Sequence, residues 1–204
     1  MYKRHQLLLL GACVLLVGGC KRHILTDYRP LDRAGMWSSN IEQLKAMNAS
    51  DAEVAQLVKL KQAGASDDAC VALLSTAHAH QHPFTSAESA ASLERASFTE
   101  PEILEIARAD QLDTISTEAV MLRLIGLSDA TVQKLLHRRM QGKPTLSSVE
   151  IGRLKNVGLT EKQILDRVNQ GMTDAQAEHE VKNREAARNH SNTGFVRSHG
   201  RRPG

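Results

Sequence analysis

The chain has 204 residues, with 26 Lys+Arg against 23 Asp+Glu and a formal charge of +3, a length that suits one or two small domains. Apolar residues make up 41%, enough to build a core, while aromatics are only 3%, with Trp37 the single tryptophan. A core of Leu, Ile, Val and Ala suits helices packed on helices. The shortage of rings argues against single-strand stacking platforms, aromatic cages, sugar-binding clefts and β-sandwiches.

The N-terminus opens with Lys3 and Arg4, continues in an apolar run from Leu7 to Val17, and closes with Gly18, Gly19 and Cys20. This is the three-part layout of a secretory signal. The run is about half of the ~20 residues a membrane-crossing helix needs. After Leu16, the residues Val17-Gly18-Gly19-Cys20 resemble the lipobox of bacterial lipoproteins. That resemblance implies cleavage before Cys20, a diacylglycerol on its sulfur, and acylation, typically by palmitate, of the new amino terminus. Several acyl chains anchor firmly where one does not. Lys21 follows the cysteine in place of the aspartate that retains many lipoproteins at the inner membrane. The resemblance therefore implies the periplasmic face of the outer membrane. No cofactor is expected beyond this covalent lipid.

On this reading residues 1–19 are a signal peptide, 20–36 the lipidated cysteine and a tether, 37–188 a helical repeat domain and 189–204 a disordered basic tail. Cys13 leaves with the signal and Cys20 carries lipid, so Cys70 is the one remaining thiol. No internal disulfide is available, and an apolar position points to a buried, inert sulfur.

After Trp37 one pattern occurs five times: a leucine six residues before a Ser or Thr that an acidic residue follows directly. The leucines are Leu44, Leu60, Leu93, Leu122 and Leu154, and the caps are Ser50, Ser66, Thr99, Ser128 and Thr160. Four residues past each cap stands Val54, Cys70, Ile103, Val132 or Ile164, and Gly64, Gly126 and Gly158 precede three of the caps by two residues. Glycine ends a helix in the left-handed conformation. The hydroxyl then takes a free amide of the next helix, and the acid complements its positive end. Capping boxes are spaced correctly at Ser39/Glu42, Ser50/Glu53, Thr85/Glu88, Thr99/Glu102, Ser147/Glu150, Thr160/Gln163 and Thr173/Gln176.

These signals predict helices near 39–48, 51–63, 67–80, 86–96, 100–110, 117–125, 129–141, 148–156, 161–170 and 174–188, and no strand. The expected fold is all-α, an irregular array of about ten short capped helices in helix-turn-helix repeats. The best-matched units are 32 residues apart, within the range of helical solenoids. The pattern Leu-x3-Gly-Leu-Ser/Thr-Asp/Glu also resembles short helical oligomerisation modules of bacterial proteins, a likeness that transfers no function.

Three features carry candidate chemistry. His78, His80 and His82 are candidate ligands for Zn²⁺ or Cu²⁺, although only His78 and His82 share a helical face. Lys134, His137, Arg138 and Arg139 follow Gly126-Leu127-Ser128 and resemble the basic second helix of a helix-turn-helix. An exported protein does not meet the chromosome, so nucleic acid is not an expected partner. Residues 182–204 hold six Lys+Arg against Glu185 alone, and Phe195, Arg197, Arg201 and Arg202 form a candidate strip for an anionic partner. Phosphate-binding glycine loops, HExxH, GxSxG and CxxCH are all missing from the sequence. The expectation is a non-catalytic scaffold or adaptor at the envelope with a protein or cell-wall partner. The alternatives are a periplasmic metal binder or sensor and, without export, a nucleic-acid binder.

Overall fold

The computed structural model describes residues 25–196, with side chains to residue 190. The described residues form eleven helices and no strand: α1 (Arg29–Arg33), α2 (Ser38–Ala46), α3 (Asp51–Ala63), α4 (Asp67–Ala79), α5 (Ala87–Arg95), α6 (Glu100–Arg108), α7 (Leu112–Leu124), α8 (Asp129–Met140), α9 (Ser148–Asn156), α10 (Glu161–Asn169) and α11 (Asp174–Val196). The expected all-α fold is what is observed, and helix lengths from 5 to 23 residues make the array irregular.

Each of the first ten helices is followed by a residue of positive φ. Six are glycines; the others are Asn48, Gln81, Ser97 and Asp110. Beyond that residue the chain closes a wide turn. The N–H groups of Ala49, Ala65, Phe98 and Leu159 donate to the carbonyls of Leu44, Leu60, Leu93 and Leu154. This is the Schellman closure, which brings an apolar side chain just past the helix against one in its last turn. It explains why leucine recurs six residues before a cap. All five patterned leucines are at most 1% exposed, and Val54, Cys70, Ile103, Val132 and Ile164 are buried with them.

The helices stack in two rows. Odd-numbered helices pack on odd ones, α1 on α3, α3 on α5, α5 on α7, α7 on α9 and α9 on α11; α2 packs on α4, α4 on α6, and α8 on α10. A carboxylate near a helix start crosses each of these steps. Asp51 accepts from the Asp27 N–H, Asp67 from the Trp37 N–H, and Glu53 from the Phe84 N–H. Glu100 takes the N–H and hydroxyl of Ser66, Asp113 the hydroxyls of Ser86 and Ser89, and Glu118 the N–H and hydroxyl of Ser148. Glu161 takes Ser128 and Thr131, and Asp174 the Ser147 N–H. The acids after four of the five patterned caps, Asp51, Asp67, Glu100 and Glu161, read in the sequence as partners for their own helix dipoles, also satisfy free donors two helices away, whereas Asp129 pairs with Arg123 of the preceding helix.

Several boundaries differ from expectation. The helical body begins before residue 37: α1 packs on α3, and Leu31 and Met36 of the expected tether are buried. Helix α7 starts at Leu112, five residues earlier than predicted, because its N-cap Gln111 makes no side-chain bond that the sequence could advertise. The box at Ser39/Glu42 is not formed, since α2 starts at Ser38 and Trp37 is its cap. The box at Thr85/Glu88 is not formed either, because Ser86 occupies the cap position of α5. At Ser147 only half the box exists: the hydroxyl accepts from Glu150, while the Ser147 N–H goes to Asp174. The boundary expected at residues 188 and 189 falls inside α11, whose backbone continues to Val196.

Candidate functional site

Across the two rows, one step is open. Helices α6 and α8 are not packed closely along one another as their counterparts are, and between them and α10 runs a groove of about 620 Å³. Met140 and Leu165 supply its accessible apolar surface over the buried Phe98, Ile106 and Leu136; Glu102 and Glu105 stand on the α6 side, and Gln133, Lys134, His137, Arg138, Lys162, Asp166 and Asn169 on the α8 and α10 side. The volume falls within the range of ligand-binding clefts.

The N-terminal end of the groove is tied by a polar cluster built on α7. The Arg123 guanidinium lies 4.2 Å from the Phe98 ring centroid and pairs with Glu102 and Asp129. The Gln133 side chain donates to Glu102 at 2.7 Å and bridges α8 to α6. Burial pushes the Glu102 carboxyl up, but the Thr99 N–H, Gln133, the Thr99 hydroxyl and Arg123 outweigh it and hold the group below its usual range. This end is therefore closed by a charged, hydrogen-bonded stack. On the neighbouring turns of α6 and α8, His137 approaches Glu105 at 3.5 Å, with both side chains more than half exposed.

The basic second helix suggested by the sequence is divided by the fold. Arg139 turns away from the groove to Glu118 and the Leu146 carbonyl. Arg138 donates to Asn169 and to the carbonyls of Pro144 and Val168, so it closes the ends of α8 and α10. Lys134 and His137 face the groove and are exposed. The four residues do not form one free basic face.

The three imidazoles are sent to different partners. His78 donates to Glu53 at 2.8 Å, His80 meets the Arg108 carbonyl at 3.1 Å, and His82 pairs with Asp110 at 2.7 Å. The rings of His80 and His82 stack with centroids 6.0 Å apart. Among the described residues no three His, Cys, Asp or Glu side chains are gathered in a way that could hold a metal ion. What the cluster does structurally is fasten the end of α4 to the start of α3 and the end of α6. The Asp110 carboxylate, then the Pro83 carbonyl, raise the His82 pKa above its ordinary value. Glu53 is the centre of the other arm. Burial raises its carboxyl, yet the N–H groups of Ser50 and Phe84, His78 and the Ser50 hydroxyl bring it down to about 2.

Cys70 is fully buried, and burial pushes its thiol up to about 12, which makes it a packing residue without a reactive thiolate. In the basic C-terminal region, Lys182 pairs with Glu178, Arg184 with Glu180, and Arg188 donates to the Asn156 carbonyl. Phe195 falls in the last turn of α11, where only the backbone is described. Cys20, Arg197, Arg201 and Arg202 lie outside the described residues, as does the whole signal segment. No described helix is long and apolar enough to cross a membrane.

The groove itself was not read from the sequence. Its signal was present only in fragments: Ile106, Leu136 and Leu165 fall at core spacing in three different predicted helices, and nothing local states that these helices adjoin. No protein-family model matches the chain, and no curated protein or solved structure matches it either.

Proposed function

We propose that the protein is a non-catalytic adaptor of the bacterial envelope, lipid-anchored through Cys20, which holds a protein partner along the groove between α6, α8 and α10. The observation that carries this reading is the opening of the even row at α6 and α8, which leaves about 620 Å³ of apolar-floored space in an otherwise stacked array. Stacked helix pairs commonly present such faces to partners. The anchor rests on the lipobox-like residues Val17-Gly18-Gly19-Cys20.

Two measurements test the two halves. Metabolic labelling with a palmitate analogue, followed by fractionation, is expected to place wild type in the envelope with label, and to lose the label in Cys20→Ala. Unlabelled wild type in the cytoplasm would remove the anchor. A photo-crosslinking residue at Met140 is expected to trap a discrete partner in intact cells, where the same probe at Lys59 on α3 traps none. Identical adducts at both positions, or none, would remove the groove as the binding face.

A further inference from the structure

All 23 Asp and Glu lie within residues 25–190, with 19 of the 26 Lys and Arg, so the helical body is net acidic. Its cations are widely matched to carboxylates, as Lys61 is to Asp67, Arg139 to Glu118 and Arg167 to Glu180. Arg33, Lys59, Arg108 and Lys143 make no ion pair among the described residues, and on the α8 and α10 side of the groove such cations gather on one surface. Lys134 and Lys162 make no ion pair within the described residues, and Arg138 bonds only uncharged acceptors, the Pro144 and Val168 carbonyls and Asn169. Asp166 is the single carboxylate on that side. In a body of net negative charge, positive charge is left uncompensated beside apolar surface. The facing side, on α6, carries Glu102 and Glu105.

We infer that the groove takes an acidic amphipathic helix of the partner protein, its apolar stripe on Met140 and Leu165, over the buried Ile106 and Leu136, and its carboxylates towards Lys134, Arg138 and Lys162. The inference rests on the adaptor reading and names the chemistry of its partner. A guest helix fills the place where α6 and α8 fail to pack on each other, with anchors at three- and four-residue spacing, as helix-in-groove recognition requires. Its acidic edge neutralises the α8 and α10 side, and the carboxylates of α6 fix which way round it lies, since the reverse orientation sets like charges together. The same carboxylates disfavour a uniformly anionic surface such as a lipid bilayer. The binding weakens as salt rises, because the charges on both partners are exposed.

The test pans the purified full chain against a display library of random helical peptides. Recovered sequences are expected to carry Asp or Glu beside apolar residues at helical spacing. Lys134→Glu/Lys162→Glu is expected to weaken their binding by about tenfold or more, while Arg33→Glu/Lys59→Glu, with the same change in net charge on α1 and α3, leaves it intact. A thermal melt confirms that both variants fold. Recovered peptides without acidic bias, lost in Met140→Glu but kept in the double lysine variant, would overturn the inference and leave the adaptor reading standing. No peptide recovered in the groove would overturn both. Binding to phosphatidylglycerol vesicles that disappears in the double lysine variant would make a lipid surface the occupant and overturn the acidic helix.

Discussion

Along the odd-numbered row, α3, α5, α7, α9 and α11 pack without interruption, and small residues sit buried on them: Ala87, Ala90 and Ala91 on α5, Ala119 on α7 and Ala177 on α11. The even-numbered row also buries small residues in its first half, Ala69 and Ala77 on α4 and Ala107 on α6, but α8 and α10 bury larger ones, Val132, Leu135, Leu136, Ile164 and Val168, and the row opens between α6 and α8. The turns that join the helices are the same in both rows. Side-chain size at a helix contact sets how closely two axes approach. Buried alanines on α5, α7 and α11 allow close approach along the odd row, while α8 buries no alanine and places Val132, Leu135 and Leu136 in the core. The lesson is that one repeated turn can build both a closed wall and an open one, depending on residues between the turns.

The sharpest way to break this comparison is to enlarge the closed wall. Ala119→Leu is expected to cost about 3 kcal/mol in urea unfolding, because a fully buried alanine has no room for three more heavy atoms. Met140→Leu, partly buried on the open wall, is expected to stay within about 1.5 kcal/mol of wild type. Equal effects at the two sites would refute the contrast between the rows.

Next in size is the carboxylate that links α3 to the segment before α5. Glu53→Gln is expected to lose about 2 kcal/mol at neutral pH, since a charged acceptor of several buried donors is weakened. Glu53 also sets a pH signature. Its carboxyl is held down to about 2 in the folded protein against an ordinary 4.5. It therefore contributes stability that is complete above pH 4.5 and lost as pH falls towards about 2. Unfolding measured across that window is expected to show a shallower acid loss in Glu53→Gln than in wild type; identical slopes would show that the group does not carry the linkage.

A smaller effect is expected in the even row, where Glu161 joins α10 to the start of α8. Glu161→Ala is expected to cost about 1 kcal/mol, leaving Ser128 to cap its own helix with its freed hydroxyl. The smallest effect is a gain. Ser97 holds φ near 64° after α5, where an L-residue is strained and glycine is not. Ser97→Gly is expected to raise stability by about 0.5 kcal/mol, read as a small increase in the urea midpoint; a decrease would mean that the serine makes a compensating contact.

Much of the turn chemistry was legible in the residues. Leu44, Leu60, Leu93, Leu122 and Leu154 recur at one position of the pattern, where the structure buries all five, and the capping boxes at Ser50, Thr99, Thr160 and Thr173 are formed. These are interactions over three to six residues, so a linear pattern contains both partners. Where the partner is remote, the pattern misled. Ser39 and Thr85 had the spacing of boxes and are not caps, because Asp67 and Asp113, about thirty residues further on, engage the true starts at Trp37 and Ser86. The early start of α7 was invisible for a related reason: Gln111 offers no cap of its own, and burial of Leu112 and Ile115 sustains that first turn.

The candidate site divides in the same way. In the sequence Lys134, His137, Arg138 and Arg139 resemble a basic second helix, and it is tertiary packing that sends Arg139 to Glu118 and Arg138 to the ends of α8 and α10. The histidines at 78, 80 and 82 are neighbours in the chain, and their rings are claimed by α3 and by the end of α6. By itself the sequence determined that this protein is helical and where most helices begin and end, since caps, left-handed turns and apolar spacing act locally. Which helices stack, which carboxylate serves which distant cap, and where the even row stays open were decided by the tertiary structure alone. Those outcomes depend on side-chain volumes and donors meeting across about thirty residues of chain, a relation that no local spacing records.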